Sequence, residues 1–368
     1  MSSNKIKTNK SFADIAKSIV RQQIFIPIAA LLILVLFNLI ADPTFFQITL
    51  QPNSDGFNVL SGNIISIIDR ASELVILAIG MTLVTSASGG QDISVGATIA
   101  IAGSVILRVL CGTNTRADTL QAPVIVAFLI CCIVSMIFGA FNGTLVAYFK
   151  IQPMVATLIM FTAGRSIAAW INNNELPVIN DPKFGYYGNF IPGIPVPTPV
   201  FITIACLIVI ALALKFTNLR LYSQAVGINP HSSRLNGINP QMIKFITFVI
   251  LGLCVAVAGF IKVSRLSTIN YSVVAKDIEM DAILAVALGG NALGGGKFNM
   301  TASVIGAYVI QFLTTTLYKY DVSSAEISAY KAVVVIILVV LSAPIVREKL
   351  GDLKKKYFPA KAVSKEAA

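Results

Sequence analysis

Residues 123–148 read PVIVAFLICCIVSMIFGAFNGTLVAY, a run without one charged side chain. About 20 mostly apolar residues are what a helix needs to cross the core of a bilayer. Comparable runs recur at 24–41, 71–88, 93–111, 153–171, 198–216, 243–262, 281–296, 299–318 and 331–346, making ten in all. The second and the eighth are weaker, each being short or interrupted by glycines and charges. The longest segments between runs, 42–70, 172–197 and 217–242, are too short to hold a soluble catalytic domain. The chain therefore reads as an all-α polytopic membrane protein with about ten transmembrane helices, two of them short or interrupted at glycine-rich breaks. Its organisation is a cytoplasmic segment 1–23, a transmembrane domain 24–346 and a basic tail 347–368.

Composition leads to the same class. Charged residues are 12% of 368, about half of the ~25% usual in soluble domains. Hydrophobic residues reach 56% and mean hydropathy is +0.80. So few charges exclude a soluble protein of this size, a disordered chain, a collagen and a disulfide scaffold. Lys and Arg number 28 against 17 Asp and Glu, a net charge of +11. These cations sit in loops and tails, which the inside-positive bias of membrane proteins explains without nucleic acid. With the N-terminus inside and ten crossings, 18 Lys and Arg fall inside and 8 outside, so both termini are expected in the cytoplasm. Arg108 and Arg165 fall within spans, near their outer ends, where each can snorkel outward. The run Ile24–Ala41 ends in Asp42-Pro43 without a small-x-small cleavage pattern and reads as an uncleaved first span. Cys111, Cys131, Cys132, Cys206 and Cys254 form no CxxC pair, and His231 is the one histidine, so they read as small apolar residues and not as a metal site.

Two breaks interrupt the apolar pattern. The first is Gly89-Gly90-Gln91-Asp92-Ile93-Ser94-Val95-Gly96, the second Gly289-Gly290-Asn291-Ala292-Leu293-Gly294-Gly295-Gly296-Lys297. Irregular backbone at membrane depth survives only when packed in protein or lining a polar cavity. Paired breaks in two halves are also what internal repeats of transporters produce. Tight cytoplasmic turns between short helices account for the same glycines. The second break is no phosphate-binding loop: the glycine five positions before Gly296 is missing, and Phe298 follows Lys297 where a hydroxyl residue is required. Loop 217–242 carries Gln224, Ala225, Gly227, Asn229 and Pro230, then Arg234 and Gly237. Asn229-Pro230 starts a short helix and Gly237 ends it. Such a helix, bracketed by Gly227 and Gly237, suits docking on a cytosolic partner, with an idle connector as the alternative. Segment 172–197, with three consecutive asparagines and five prolines, reads as an ordered outer loop.

Five blocks taken in order resemble the permease subunits of bacterial sugar-importing ABC transporters of the ribose, xylose and galactofuranose type. They are Ala78-Ile79-Gly80-Met81-Thr82-Leu83-Val84, the segment Gly89–Gly96, Ile151-Gln152-Pro153-Met154-Val155-Ala156-Thr157-Leu158, Ala225-Val226-Gly227-Ile228-Asn229 and Ala285-Val286-Ala287-Leu288-Gly289-Gly290. The resemblance runs from about 64 to 345 and looks most like the galactofuranose type. Gly89, Gly90, Asp92, Ser94 and Gly96 match the family's turn. Gln91 stands where the family usually has an apolar residue.

The resemblance implies two permeases, identical or paralogous, packed around a path in the bacterial inner membrane. It also implies cytosolic ATPase subunits on the inner loops and a periplasmic binding protein that delivers a monosaccharide. ATP and magnesium would belong to the ATPase, leaving this chain without cofactor or catalytic residues, and segment 224–240 would be the lever between them. Few ionisable residues lie deep in the runs, which agrees with a neutral, hydroxyl-rich cargo. Uncharged polar candidates for the path are Asn142, Thr157, Thr162 and Gln311, although helix packing explains such residues equally well. A secondary transporter driven by an ion gradient is the competing class. It usually needs a buried carboxylate, whereas Asp92, Glu279 and Asp281 read as span ends and Glu73 lies just inside the second run. A membrane-embedded enzyme fails for want of a His/Asp/Glu constellation.

Overall fold

The computed structural model describes residues 24–53 and 56–342. The expected N-terminal segment 1–23 and basic tail 347–368 lie outside these residues. Each of the ten apolar runs carries a helix. In chain order they are α1 (Phe25–Ala41), α2 (Asn63–Ser88), α3 (Val95–Cys111), α4 (Val124–Ala147) and α5 (Pro153–Ile171), then α7 (Thr198–Phe216), α10 (Pro240–Leu266), α11 (Ile278–Leu288), α12 (Met300–Lys319) and α13 (Ser324–Ser342). The segment between α5 and α7 is mostly irregular, with a single turn α6 (Pro182–Gly185). Two short helices, α8 (Leu219–Ile228) and α9 (Pro230–Leu235), fill the loop before α10. Strands are minor: Thr49–Pro52 pairs antiparallel with Asn58–Ser61, and Arg116–Ala117 pairs parallel with Val178–Ile179.

Three boundaries differ from the sequence reading. The second run is neither short nor interrupted: α2 is a continuous helix of 26 residues that starts at Asn63. Asp69, Arg70 and Glu73 lower the hydropathy of its first turns, yet two of them are paired in the fold, as shown below. The eighth run is the short one. α11 has 11 residues, ~16 Å at 1.5 Å per residue, about half of a ~30 Å hydrocarbon core. The last helix begins at Ser324, earlier than the expected 331.

α2 is the centre of the molecule. Every residue from Ala71 to Ala87 is buried, which marks a helix enclosed by protein on all sides. It packs against α10, α12, α11, α8 and α7. Lipid tails are as apolar as leucine, so helices in a bilayer associate through close packing and hydrogen bonds. Small residues permit that approach here. A Cβ on Gly80 would lie 2.8 Å from Leu251 Cδ1, and one on Gly252 of α10 would strike the Ser135 carbonyl of α4. Hydrogen bonds add to it: Thr82 Oγ1 lies 2.8 Å from Ser303 Oγ, and Asn38 Nδ2 of α1 donates to Thr316 Oγ1 of α12 at 2.9 Å. Such contacts are worth ~0.6 kcal/mol each in a membrane. The outward faces of α1, α4, α5 and α7 expose Ile40, Ile133, Val155 and Val209, each at least half accessible. That belt suits contact with lipid.

Candidate functional site

The first glycine break is a re-entrant segment packed within the protein. Gly89 ends α2 in the left-handed region (φ 69), which only glycine adopts without strain. The chain then climbs back beside α2, and the Asp92 amide reaches Met81 Sδ at 3.5 Å. Met81 is two turns above the end of α2, so α3 starts ~10 Å inside that end. Asp92 caps the start of α3: its Oδ1 accepts from the Ser94 amide (2.8 Å) and the Ser94 hydroxyl (2.6 Å). Asn142 of α4 donates to Asp92 Oδ2 at 3.2 Å and to Ser94 Oγ at 2.9 Å. The Ile93 amide donates to Thr157 Oγ1 of α5 at 3.2 Å. Gly90 lies against the Pro153 ring, where a Cβ would come within 2.8 Å. Of the path candidates, Asn142 and Thr157 thus hold the break in place. Thr162 is exposed and donates to the Leu158 and Ile159 carbonyls of its own helix.

The second break folds onto the first. Asn291 braces it, accepting from the Asn299 amide at 2.6 Å and donating to Ser303 Oγ at 2.8 Å. The Gly296 amide donates to the Ser86 carbonyl of α2 at 2.9 Å. Gln91, the departure from the family pattern, is 4% exposed and donates from Nε2 to the Leu293 carbonyl at 2.8 Å. Its polarity therefore links the two breaks, a role that no local pattern in the sequence signals.

α8 closes this junction from the end of the molecule where α2 terminates. Gly227 faces inward, and a Cβ there would collide with the Ser86 carbonyl and the Gly296 amide. Val226 is buried with Ala87 and Ile243, and Arg220 sits over the Phe298 ring at 5.7 Å. Gln224 and Ala225 are half-buried, whereas Asn229, Pro230, Arg234 and Gly237 are exposed. Asn229 Oδ1 caps α9 by accepting from the Ser232 amide at 3.0 Å, and Gly237 (φ +79) leaves it through open space. Leu221, Ile228 and Leu235 are at least 63% exposed, an apolar outer face beside the polar turn.

A cavity of about 830 Å³ opens at the opposite end, between the start of α2, the end of α10, the start of α11 and the end of α12. Gln311, the fourth path candidate, lines it with Thr314 and Thr315. Its wall is ionic in a way the apolar runs conceal. Arg265 of α10 pairs with Asp69 at 3.0 Å and Glu73 at 3.5 Å, both on α2. Lys331 of α13 pairs with Asp281 of α11 at 2.7 Å. Arg165 does not snorkel: it donates to the Tyr271 and Val274 carbonyls at 2.8 and 3.0 Å, anchoring the loop before α11. Three carboxylates placed at or near span ends by sequence are in fact enclosed, since Glu73, Asp92 and Glu279 are each 3% exposed. Glu279 Oε2 has no hydrogen-bond partner among the described residues and sits where a Cβ on Gly96 would strike it. The re-entrant break carries Asp92 inward and the half-length α11 carries Glu279, whereas Glu73 is enclosed because α2 is surrounded by other helices.

This architecture has many sequence relatives. The family model described as "Branched-chain amino acid transport system / permease component" matches residues 63–343. The galactofuranose transporter permease protein YtfT of Escherichia coli K12 is 38% identical, over 86% of this chain and 88% of its own length. The fructose import permease protein FruF of Bifidobacterium longum is 33% identical, over 89% and 90%. The ribose import permease protein RbsC of Escherichia coli K12 is 34% identical, over 80% and 88%. No solved structure matches. Matched by the family model from the first residue of α2 to the end of α13, and aligned with these relatives along nearly all of their lengths, the chain belongs to this family of transporter permease subunits.

Proposed function

We propose that this chain is the membrane-spanning subunit of an ATP-driven importer that moves a monosaccharide into the cytoplasm of a bacterium. Ten crossings with both termini inside put the cavity on the periplasmic face, where a sugar-binding protein releases its cargo. They put α8 and α9 on the cytoplasmic face, where an ATPase subunit docks. A second permease, identical or paralogous, completes the path. The observation that carries this reading is the packing of α8 on both glycine breaks. A push on α8 reaches the Ser86–Gly296 hydrogen bond, and through it the start of α3 and the turn after α11. Hydroxyl and amide groups beside the ion pairs of the cavity, among them Gln311 and Thr314, suit a polyol.

The ion-gradient reading draws support from the enclosed carboxylates Asp92 and Glu279, so the deciding experiment must separate the two. The chain is reconstituted in liposomes with its ATPase and binding protein, and entry of labelled pentose and hexose is followed. Uptake should require ATP and the binding protein and should survive collapse of proton and sodium gradients. Gradient-driven uptake by the chain alone, without ATP, would overturn the proposal.

A further inference from the structure

A second cavity, of about 460 Å³, lies at the α8–α9 end of the molecule, between the α4–α5 turn and the start of α10. Its wall includes Lys150, Lys244, Arg234 and His231, with Gln152 and Gln241 among the neutral polar groups and no Asp or Glu. Arg234 donates to Gln241 Oε1 at 2.9 Å, and none of the four basic residues has an ion-pair partner among the described residues. Of the described cations, Arg265, Lys319 and Lys331 have a carboxylate partner; what sets this cavity apart is that it gathers Lys150, Arg234 and Lys244 around one concave wall without a carboxylate. A concave site with this many unneutralised donors is a site for an anion.

The position of the site selects the anion. Tyr148 and Phe149, 53% and 69% exposed, immediately precede Lys150. Aromatic side chains at that point mark the boundary between headgroups and acyl chains. From there an exposed apolar surface runs along α5 through Met154, Val155, Leu158 and Ile159, and along α4 through Phe141, Ile137 and Ile133. Basic pockets between transmembrane helices on the cytoplasmic side bind the headgroups of anionic lipids. We propose that this cavity holds the phosphate headgroup of an anionic phospholipid, with its acyl chains lying on the α4 and α5 surface. Lys150 and Lys244 supply the charge from the membrane side. Arg234 supplies it from α9, with His231 beside it as a further polar group, so the lipid ties the docking segment to the bilayer. The inference rests on the orientation proposed above only for the leaflet, which would be the inner one.

The test uses the purified full chain in neutral detergent, without ATPase or transport, so that its failure is distinct from failure of the importer reading. Binding of phosphatidylglycerol, phosphatidylcholine and inorganic phosphate is titrated by native mass spectrometry, with thermal unfolding in parallel. Phosphatidylglycerol should bind and stabilise, phosphatidylcholine should not, and inorganic phosphate should compete weakly. Each cation lost should weaken lipid binding several-fold, so Lys150→Gln with Lys244→Gln should weaken it about thirtyfold. Lys150→Gln alone, at an exposed position, should show about fivefold. Lys215→Gln, an exposed cation outside the cavity, should have no effect. Equal binding of the two lipids, or unchanged phosphatidylglycerol binding in the double variant, overturns the proposal. Inorganic phosphate stabilising as well as the lipid would replace it with a soluble phosphate site. Unchanged lipid binding combined with weakened ATPase association would assign the cations to an acidic surface of that partner instead.

Discussion

Replacing Gly227 by alanine tests whether α8 is built into the junction of the two breaks or merely rests on it. The added methyl would collide with the Ser86 carbonyl and come within 2.5 Å of the Gly296 amide nitrogen, both main-chain groups that cannot swing aside. The Gly296 amide bond to Ser86, now 2.9 Å, would have to lengthen or break. Losing it costs about 1 kcal/mol net, and forcing an extra carbon into packed surroundings costs about 1–3 kcal/mol. Together the substitution should destabilise the junction by about 2–4 kcal/mol. Gly237→Ala is the comparison. Its site is open, so only the positive φ is strained, about 1–2 kcal/mol, and the junction is untouched. The assay is reconstitution with the ATPase and binding protein, reading uptake, sugar-stimulated hydrolysis and thermal unfolding of the permease. Gly227→Ala should lower the unfolding temperature and uncouple hydrolysis from uptake, whereas Gly237→Ala should keep most of both. Wild-type unfolding and coupling in Gly227→Ala would refute the inward role of α8.

Gln91→Leu restores the apolar residue usual in the family but strands the Leu293 carbonyl, and should destabilise the protein by about 1–2 kcal/mol in thermal unfolding; an unchanged transition would show the two breaks to be independent. Lys331→Met leaves Asp281 partly buried without its partner, costing about 1–3 kcal/mol after allowance for residual exposure. Adding Asp281→Asn should recover part of that loss, and a double variant as weak as the sum of the singles would argue against the pair. Cysteines introduced at Asn173 and Asp321 should react with an impermeant thiol reagent from outside intact spheroplasts, whereas Lys355→Cys should not; labelling at 355 would invert the topology.

Composition and hydropathy settle the class of this protein and put a helix on each of its ten apolar runs, three of them with one end displaced by seven or eight residues, and five ordered blocks carry its family. The sequence by itself could do so because the bilayer imposes one demand on every span: a run of apolar residues long enough to satisfy its own backbone. It also located both breaks, because glycine clusters are local, and the short helix opened by Asn229-Pro230. Tertiary structure alone decided what these pieces do to one another. Arg265 pairs with Asp69 across 196 positions, so charges that interrupt the apolar pattern before the second run are accommodated inside a longer helix. Asn142 and Thr157, polar candidates for a path, hydrogen-bond to Asp92 and to the Ile93 amide. Gln91 meets Leu293 across 202 positions, and Gly227 faces inward onto a carbonyl of α2. Hydropathy is a sum over neighbours in the chain and is blind to such pairings. A buried charge or amide is tolerable only when a specific partner arrives from elsewhere, and which partner arrives is set by helix packing.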